Sequence, residues 1–342
     1  MVLITGGAGY IGSHVVKQLL EQNEDIIVLD NLSTGNQKTL DTLSEIREFK
    51  FIKGDLKNLN EIEKIFIENN INTIMHFAAS IVVSESVKNP IKYYTNNTVN
   101  TTNLVSCAIR YNVKKFIFSS TAAVYGEPKN ITSLNIDENY PTNPINPYGK
   151  SKLFSENIIK DVSVTNETFK YIIFRYFNVA GADMYRVDEK IAPRIGQSFP
   201  SATHLIKVAS ECATLKRKNM NIFGDTYPTE DGTCIRDYIH VDDVAMAHIQ
   251  AMKYLDNNKS EIFNLGYGKG YSVKKVINTI QTVSKVFFEV IHTENRKGDP
   301  SILVANNNKI LKKMKWVPKY NDLELICDSA YAWEKVLNNE KK

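Results

Sequence analysis

Three closely spaced glycines near the amino terminus place the strongest constraint on how this chain folds. Gly6, Gly9 and Gly12 stand between an apolar run, Val2–Thr5, and a stretch with the composition of a helix that begins near Tyr10. Glycine has no Cβ, so a turn built from it can tighten and bring its backbone close to another group. The amino terminus of the following helix adds free N–H groups and a positive dipole end. The pattern predicts a turn that receives a pyrophosphate, although a glycine-rich turn without a ligand is the simpler alternative.

Short β-rich runs alternate with helical stretches along the first half of the chain. The runs occupy residues 2–5, 26–30, 50–53, 73–77, 115–119 and 171–176, and the longer helical stretches occupy residues 93–111 and 148–160. Strand interiors that are apolar throughout suit strands covered by helices on both faces. The rhythm predicts an α/β fold with a Rossmann-type doubly wound parallel sheet.

After Asn178 glycines and prolines interrupt this rhythm, while residues 242–254 again have a helical pattern and residues 261–266 a strand pattern. We therefore predict a smaller α/β substrate domain that is interleaved with the first rather than appended to it. The predicted Rossmann domain comprises residues 1–177 plus about 236–262, and the substrate domain comprises residues 178–235 plus about 263–342.

Composition narrows the class of protein further. The chain has 342 residues, and its 42 basic and 38 acidic residues are spread along the whole length, so no charge block suggests a nucleic-acid or membrane partner. Its four cysteines lie far apart with no CxxC spacing, which favours neither a metal site nor a disulfide framework. No apolar run approaches the ~20 residues that cross a bilayer. We expect a cytoplasmic protein without a metal.

Small and acidic residues follow the next predicted strands, at the edge where the glycine turn lies. Asp30 ends the second strand, where a carboxylate can accept hydrogen bonds from a ribose diol and repel a 2′-phosphate, which favours NAD over NADP. Asp55 is suitably placed for an adenine edge, although a solvated loop aspartate is the alternative. Ala78 and Ala79 let a cofactor lie against the backbone of the fourth strand, and His76 is expected to pack in the core.

Tyr148 and Lys152 stand four residues apart and therefore on one face of a helix. Tyrosine, with a pKa near ~10, is a poor base at neutral pH, but a nearby ammonium and a positive nicotinamide ring both favour the phenolate. Lys152 can also hold the nicotinamide ribose. The pattern alone is common; its position after the fifth strand, where Thr121 can hydrogen-bond the reacting oxygen, gives it weight.

These motifs resemble the UDP-glucose 4-epimerases of the extended short-chain dehydrogenase/reductase family, most closely bacterial members that also accept N-acetylhexosamine nucleotides. The similar segments are residues 5–14, 29–32, 119–126, 148–152, 175–178 and 236–241. The resemblance implies an NAD-dependent enzyme of galactose metabolism that binds a UDP-sugar. It also implies a homodimer, in which the two longer predicted helices can form a four-helix interface.

The family's contacts can be transferred to positions in this chain. The resemblance implies cofactor contacts at Gly6, Gly9, Tyr10, Ile11, Gly12, Asp30, Asn31, Leu32, Ser33, Thr34, Gly35, Asp55, Leu56, Phe77, Ala78, Ala79, Asn96, Lys152 and Phe177. It implies substrate contacts at Thr121, Tyr148, Asn178, His204, Leu205, Phe223, Arg236, Arg296, Asp299 and Leu303. The two arginines suit a diphosphate, because guanidinium groups match phosphate oxygens, but either could equally be a surface ion-pair partner.

In the mechanism that the resemblance implies, Tyr148 removes the proton of the 4′-hydroxyl while C4 gives up hydride to NAD. The resulting 4-keto sugar turns over and recovers hydride on its opposite face, so NAD is used without being consumed. Two positions depart from the family. Ile81 stands where many members have a lysine for the cofactor phosphates, and Leu303 stands where some have tyrosine and others a smaller residue.

Two other functions compete with epimerisation. Related dehydratases carry acidic residues directly after the catalytic Ser or Thr, and Ala122 and Ala123 leave dehydration without a general acid. Another NAD-dependent nucleotide-sugar enzyme, such as a dehydratase or reductase, therefore remains only an alternative. A non-catalytic NAD or UDP-sugar sensor would be indicated by the loss of Tyr148 or Lys152, and both are present.

Overall fold

The computed structural model describes residues 1–128, 135–295 and 299–339. Its strands are β1 (Val2–Thr5), β2 (Ile26–Asp30), β3 (Lys50–Lys53), β4 (Thr73–His76), β5 (Lys115–Thr121), β6 (Asn135–Ile136), β7 (Lys170–Tyr176), β8 (Asn178–Ala180), β9 (Arg186–Val187), β10 (Lys190–Ile191), β11 (Asn219–Phe223), β12 (Ile235–His240), β13 (Glu261–Leu265), β14 (Gly270–Ser272), β15 (Glu289–Thr293) and β16 (Ile302–Ala305).

The helices alternate with these strands through most of the chain. They are α1 (Tyr10–Glu21), α2 (Gln37–Ser44), α3 (Leu59–Glu68), α4 (Val83–Lys88), α5 (Pro90–Tyr93), α6 (Asn100–Arg110), α7 (Pro147–Thr165), α8 (Leu205–Ala213), α9 (Val241–Asn257), α10 (Val273–Ser284), α11 (Asn308–Met314) and α12 (Leu323–Asn339). A π-helix, Tyr94–Val99, joins α5 to α6, and a 3-10 helix, Ala122–Tyr125, follows β5. None of the helices in the described ranges is both long and apolar enough to cross a bilayer.

The main sheet has seven parallel strands in the order β13-β7-β5-β4-β1-β2-β3. Its central strands β1, β2 and β4 are buried along their whole length, which explains why their sequences are apolar without alternation. In the sheet, β2 lies on one side of β1 and β4 lies on the other, so the strand order reverses at β1. This reversal opens a crevice at the carboxyl ends of β1 and β4. The predicted Rossmann-type fold is confirmed.

The glycine turn after β1 packs directly against the loop that follows β4. Gly6 has a positive φ of 74°, and a Cβ on it would lie 2.6 Å from the backbone nitrogen of Ala78. A Cβ on Gly12 would lie 2.2 Å from the carbonyl oxygen of Gly6. Any side chain at either position would therefore push α1 away from the sheet edge, so these two glycines are required by close contact.

The helix predicted over residues 93–111 is interrupted by the π-helix Tyr94–Val99. The π-helix contains Asn97, whose buried side-chain amide makes three hydrogen bonds. Its Oδ1 accepts from the backbone nitrogen of Ser80 at 2.8 Å. Its Nδ2 donates to the Ser80 carbonyl and to Ser151 Oγ, both at 3.0 Å. Sequence periodicity carries no signal for such an extra residue in a turn.

A smaller sheet with the path β14-β12-β16-β6, in which β12 also pairs with β8, and a parallel pair, β11 with β15, lie beyond the main sheet. Strand β12 pairs within this smaller sheet, whereas α9 and β13 return to the main sheet, since α9 packs against α1 and β13 pairs with β7. The two parts of the chain are thus interleaved. The bounds that we assign to two domains stay a prediction.

Candidate active site

A cavity of about 1110 Å³ opens at the carboxyl edge of the main sheet and runs to α8, α12 and the smaller sheet. One end is lined by the glycine turn and by Asp30, and the other by Arg236 and Trp333. Tyr148 and Lys152 also line it. Its volume and its polar groups suit an elongated ligand that spans both parts of the fold.

Most of the predicted cofactor-binding residues line this cavity. They are Gly6, Gly9, Tyr10, Ile11, Gly12, Asp30, Asn31, Ser33, Thr34, Asp55, Leu56, Phe77, Ala78, Ala79, Asn96, Lys152 and Phe177. The remaining two, Leu32 and Gly35, lie next to Asp30. The backbone nitrogen of Leu32 donates to Asp30 Oδ1 at 2.8 Å. Gly35 packs so closely that a Cβ on it would lie 2.9 Å from the same oxygen.

The glycine turn has the geometry of an anion cradle. Its N-cap residue, Gly9, supplies no side-chain hydrogen bond to α1 among the contacts of the described chain. The first N–H groups of this 12-residue helix therefore remain available, and the helix dipole adds positive potential at the same place. Both properties fit the pyrophosphate of a dinucleotide.

Asp30 faces this turn with its carboxylate held by the backbone. Its Oδ2 accepts a hydrogen bond from the backbone nitrogen of Ala8 at 3.0 Å, opposite the bond from Leu32. Burial raises the pKa of Asp30, and these two hydrogen bonds act against the rise. A fixed carboxylate at the end of β2 fits a ribose diol and disfavours a 2′-phosphate.

Asp55 lines the same end. Burial raises its pKa, but hydrogen bonds from the backbone of Lys57 and from Nδ2 of Asn31, the latter at 3.0 Å, outweigh burial and lower the pKa overall. The predicted core role of His76 agrees with the structure: its ring is buried, with Nδ1 2.6 Å from Thr5 Oγ1 and Nε2 2.9 Å from Thr101 Oγ1. Burial lowers the pKa of His76 to about 3.

Tyr148, Lys152 and Thr121 come together beside the cavity. Tyr148 lies in the first turn of α7, which Asn146 caps by accepting a hydrogen bond from the backbone nitrogen of Gly149 at 2.9 Å. Lys152 is buried one turn later, and its Nζ donates to the carbonyl of Ser119 at 2.8 Å. The hydroxyl of Thr121, at the end of β5, hydrogen-bonds Tyr148.

Burial dominates the electrostatics of these groups. It raises the pKa of Tyr148, and the hydrogen bond with Thr121 acts in the opposite direction. Burial lowers the pKa of Lys152 itself to about 7, with the Glu156 carboxylate opposing the shift. The lysine is thus held close to its titration point at neutral pH.

A buried network that the sequence did not predict lies behind these residues. Ser120 Oγ donates to Glu156 at 2.5 Å, and Arg175 meets the same carboxylate through Nη2 at 2.7 Å and Nε at 3.1 Å. Arg175 also donates to the Tyr125 hydroxyl at 3.0 Å, which in turn donates to Asn264 at 2.6 Å. The only sequence signal was that Glu156 lies four residues after Lys152, hence on the same helix face.

The second end of the cavity is lined by seven of the predicted substrate contacts outside the Tyr148 site. They are Asn178, His204, Leu205, Phe223, Arg236, Asp299 and Leu303, whereas Arg296 lies outside the described residues. Arg236 and Asp299 form an ion pair with each other. Strand β16 runs parallel to β12 with Leu303 beside Arg236, which places the two side chains on one face of the smaller sheet.

The departure at position 81 lies at the mouth of the cavity. Ile81 is exposed and lines the cavity just before α4, together with Val83 and Val87 of that helix. The surface there is apolar, where a lysine would have placed a positive charge.

The crevice at a reversal of strand order, the uncapped glycine turn and the Tyr148–Lys152 pair define an NAD-dependent enzyme of the short-chain dehydrogenase/reductase type. The model of the NAD dependent epimerase/dehydratase family matches residues 2–266. The chain belongs to this family, and its cofactor is NAD.

Individual relatives extend the similarity over nearly the whole chain. The UDP-glucose 4-epimerase of Azospirillum brasilense is 43% identical over 337 residues, which are 98% of this chain and 92% of the relative. The solved UDP-Glc/GlcNAc 4-epimerase of Campylobacter jejuni is 52% identical, with a TM-score of 0.85 and coverage of 98% of this chain and 99% of that chain. The UDP-glucose 4-epimerase of Bifidobacterium longum, solved with NAD⁺ and UDP, is 35% identical, with a TM-score of 0.91 and 99% coverage of both chains.

The shifted pKa of Lys152 predicts a pH dependence of stability. The folded protein releases this proton near pH 7, whereas the unfolded chain keeps it to about 10.5, so the penalty of burying the ammonium is complete below pH 7 and is relieved as pH rises towards 10.5. The free energy of unfolding of the wild type should therefore rise with pH relative to that of Lys152→Met. Denaturant titrations from pH 6 to about 9.5 at equal NAD content measure it.

Lys150→Met, on the exposed side of the same helix, is the matched control and should track the wild type through this range. A constant difference between the wild type and Lys152→Met across the range would contradict the assigned shift.

Proposed function

We propose that the protein interconverts UDP-glucose and UDP-galactose by inverting C4 of the hexose through a 4-keto sugar. The observation that carries this proposal is that Thr121, Tyr148 and Lys152 meet at the wall of one cavity that is also lined by the glycine turn and by Arg236. The identity with relatives that bear the name UDP-glucose 4-epimerase supports it.

Tyr148 removes the proton from the 4′-hydroxyl and later returns one, while Thr121 shares a hydrogen bond with both oxygens and keeps them aligned. NAD supplies the hydride acceptor and donor when it is bound. Lys152 anchors α7 to the Ser119 carbonyl and, in its protonated form, supplies positive charge that stabilises a phenolate as it forms. Burial of the site makes this charge interaction stronger than it is in water.

The dinucleotide end holds the cofactor in this proposal. Backbone N–H groups of the glycine turn bind the pyrophosphate, Asp30 binds the adenosine ribose and Asp55 faces the adenine. The residues after Thr121 decide which reaction follows oxidation at C4. Ala122 and Ala123 offer no carboxylate, so the hydroxyl at C6 cannot be protonated as a leaving group and the sugar is reduced again.

Arg236 binds the diphosphate of the UDP-sugar at the second end. Its Nη1 donates to the Ile235 carbonyl at 2.8 Å, and its other amino group pairs with Asp299, so the guanidinium is fixed in orientation before a ligand arrives. Fixing the fork in advance reduces the conformational entropy that phosphate binding would otherwise cost. We assign Arg296 to the same diphosphate from the resemblance alone.

We further propose that UDP-N-acetylglucosamine and UDP-N-acetylgalactosamine are substrates. Leu303 lines the cavity beside Arg236 and packs against a cluster that includes Ala122 and Phe177. Leucine lacks the ring and hydroxyl of tyrosine, which leaves volume near the hexose for an acetamido group. The activity named for the Campylobacter jejuni relative, on both plain and N-acetylated glucose nucleotides, supports this breadth.

We also propose a homodimer formed through the π-helix and α7. Ile91, Val99 and Phe154 are exposed, and the Phe154 ring stacks on Tyr94 with ring centroids 5.9 Å apart. Large apolar side chains on α5, the π-helix and α7 form the kind of surface that a second copy covers in a two-fold interface.

Tyr148→Phe should reduce turnover of UDP-galactose by at least ~100-fold, the lower end of what a positioned general base supplies, because the phenyl ring keeps the packing and removes the acid–base oxygen. Product formation is measured by chromatography at equal NAD content, and the melting temperature should change little. Near wild-type turnover in this variant would sink the catalytic assignment. The control Tyr140→Phe changes a tyrosine at the edge of the same apolar cluster and should keep activity.

Leu303→Tyr should lower kcat/KM on the N-acetylated pair at least about tenfold more than on the plain pair, because a clash costs more than a modest void. Leu303→Met conserves volume and should retain both activities. Equal losses on the two pairs, or a wild type that never accepts the N-acetylated sugars, would show that Leu303 does not control substrate breadth.

Phe154→Asp should convert the dimer to a monomer, because it places a charge in the centre of the proposed apolar interface. Light scattering at micromolar concentration measures the mass. Phe287→Asp, at a side chain that is 85% exposed elsewhere on the surface, is the control and should remain dimeric. A monomeric wild type contradicts the proposal.

A further inference from the structure

Tyr93, the last residue of α5, packs directly on the side chain that we assign to acid–base chemistry. It is completely buried, and the centroid of its ring lies 6.4 Å from that of Tyr148, with 87° between the two ring planes. Aromatic pairs favour this edge-to-face arrangement over a face-to-face sandwich. The contact restricts the orientation of the Tyr148 ring, and with it the position of the hydroxyl that meets Thr121.

The hydroxyl group of Tyr93 holds the chain at the start of α4. It accepts a hydrogen bond from the backbone nitrogen of Val82 at 3.0 Å. Its single proton lies between two acceptors, the carbonyl of Val82 at 2.6 Å and Oε2 of Glu85 at 2.8 Å. Lys92, the neighbour of Tyr93 in α5, binds the other carboxylate oxygen of Glu85 at 2.6 Å. Helix α5 therefore fastens both the backbone before α4 and a side chain within it.

Residues 81–88, which we call the cavity-mouth segment, have little packing of their own. Four of them line the cavity, namely Ile81, Val83, Ser84 and Val87. The three apolar side chains of this set are 42%, 44% and 63% exposed, and Ser86 is the one buried residue of α4, a helix that the structure describes completely. Apolar burial therefore contributes little to holding the segment, and a segment of this kind opens easily unless polar contacts hold it. The hydroxyl of Tyr93 supplies such contacts.

We propose that Tyr93 is a positioning residue whose ring fixes the orientation of Tyr148 and whose hydroxyl keeps the cavity-mouth segment closed over the cavity that receives NAD. The part played by the ring rests on the proposed function, in which Tyr148 moves the proton. The part played by the hydroxyl rests only on NAD as the cofactor. The two parts are separable, because phenylalanine keeps the ring and removes the hydroxyl.

NAD release and turnover are measured on Tyr93→Phe and Tyr93→Leu. Protein loaded with radiolabelled NAD is chased with excess unlabelled NAD in the absence of sugar, and kcat and KM for UDP-galactose are determined at saturating NAD. Tyr93→Phe should release NAD about fivefold to tenfold faster than the wild type, as expected for the loss of one buried hydrogen bond, and should keep kcat within about threefold. Tyr93→Leu should release NAD as fast and lose at least about tenfold in kcat with KM nearly unchanged, because a displaced general base slows proton transfer without weakening sugar binding.

Tyr111→Leu is the matched control, since the ring of Tyr111 stacks on Phe66 rather than on Tyr148, and it should match the wild type in both measurements. Tyr93→Met takes the place of the leucine variant if that variant does not fold. An unchanged NAD release rate in Tyr93→Phe, or equal kcat values in the phenylalanine and leucine variants, overturns the proposal. Because the chase contains no sugar, a wild type that does not convert UDP-galactose contradicts the proposed function, and the release rates still decide the role of the Tyr93 hydroxyl.

Discussion

The close contact between the glycine turn and the loop after β4 is the constraint on which the rest of the structure depends. Gly6 and Gly12 bring β1, α1 and the backbone around Ala78 within distances that no side chain permits. This contact fixes the crevice at the reversal of strand order, and with it the place where a dinucleotide meets α1. Once that place is fixed, β5 and α7 are the elements that reach the reactive end of the ligand.

Strand β5 and helix α7 are joined by three contacts from consecutive strand residues. The Ser119 carbonyl receives Lys152, the Ser120 hydroxyl is bound by Glu156, and Thr121 meets Tyr148. Tyr148, Lys152 and Glu156 repeat every four residues, so all three lie on one face of the helix. The same face therefore supplies the acid–base group and the means of holding it, and a small rotation of α7 would disturb all of them together.

The parts of this molecule that the sequence predicted are those with a local signal. Apolar strand interiors predicted the parallel sheet, and the spacing of Tyr148 and Lys152 predicted their common face. The π-helix, the Glu156–Arg175 pair and the pairing of Arg236 with Asp299 were not predicted. Each depends on side chains that meet only after distant segments pack, and neither periodicity nor composition records such meetings. Arg236 and Asp299 were each identified from the resemblance, but as two separate ligand contacts.

The hydrogen-bond path from Glu156 through Arg175 and Tyr125 to Asn264 carries a consequence for how the protein acquires its activity. Tyr125 and Asn264 are 139 residues apart in the chain, and Asn264 belongs to β13, the edge strand that is added last in chain order to the main sheet. Contacts of such long range form slowly, because the closure of long loops must precede them. The reactive helix is therefore held by contacts that need the complete main sheet, whereas the dinucleotide end needs only the glycine turn and the central strands.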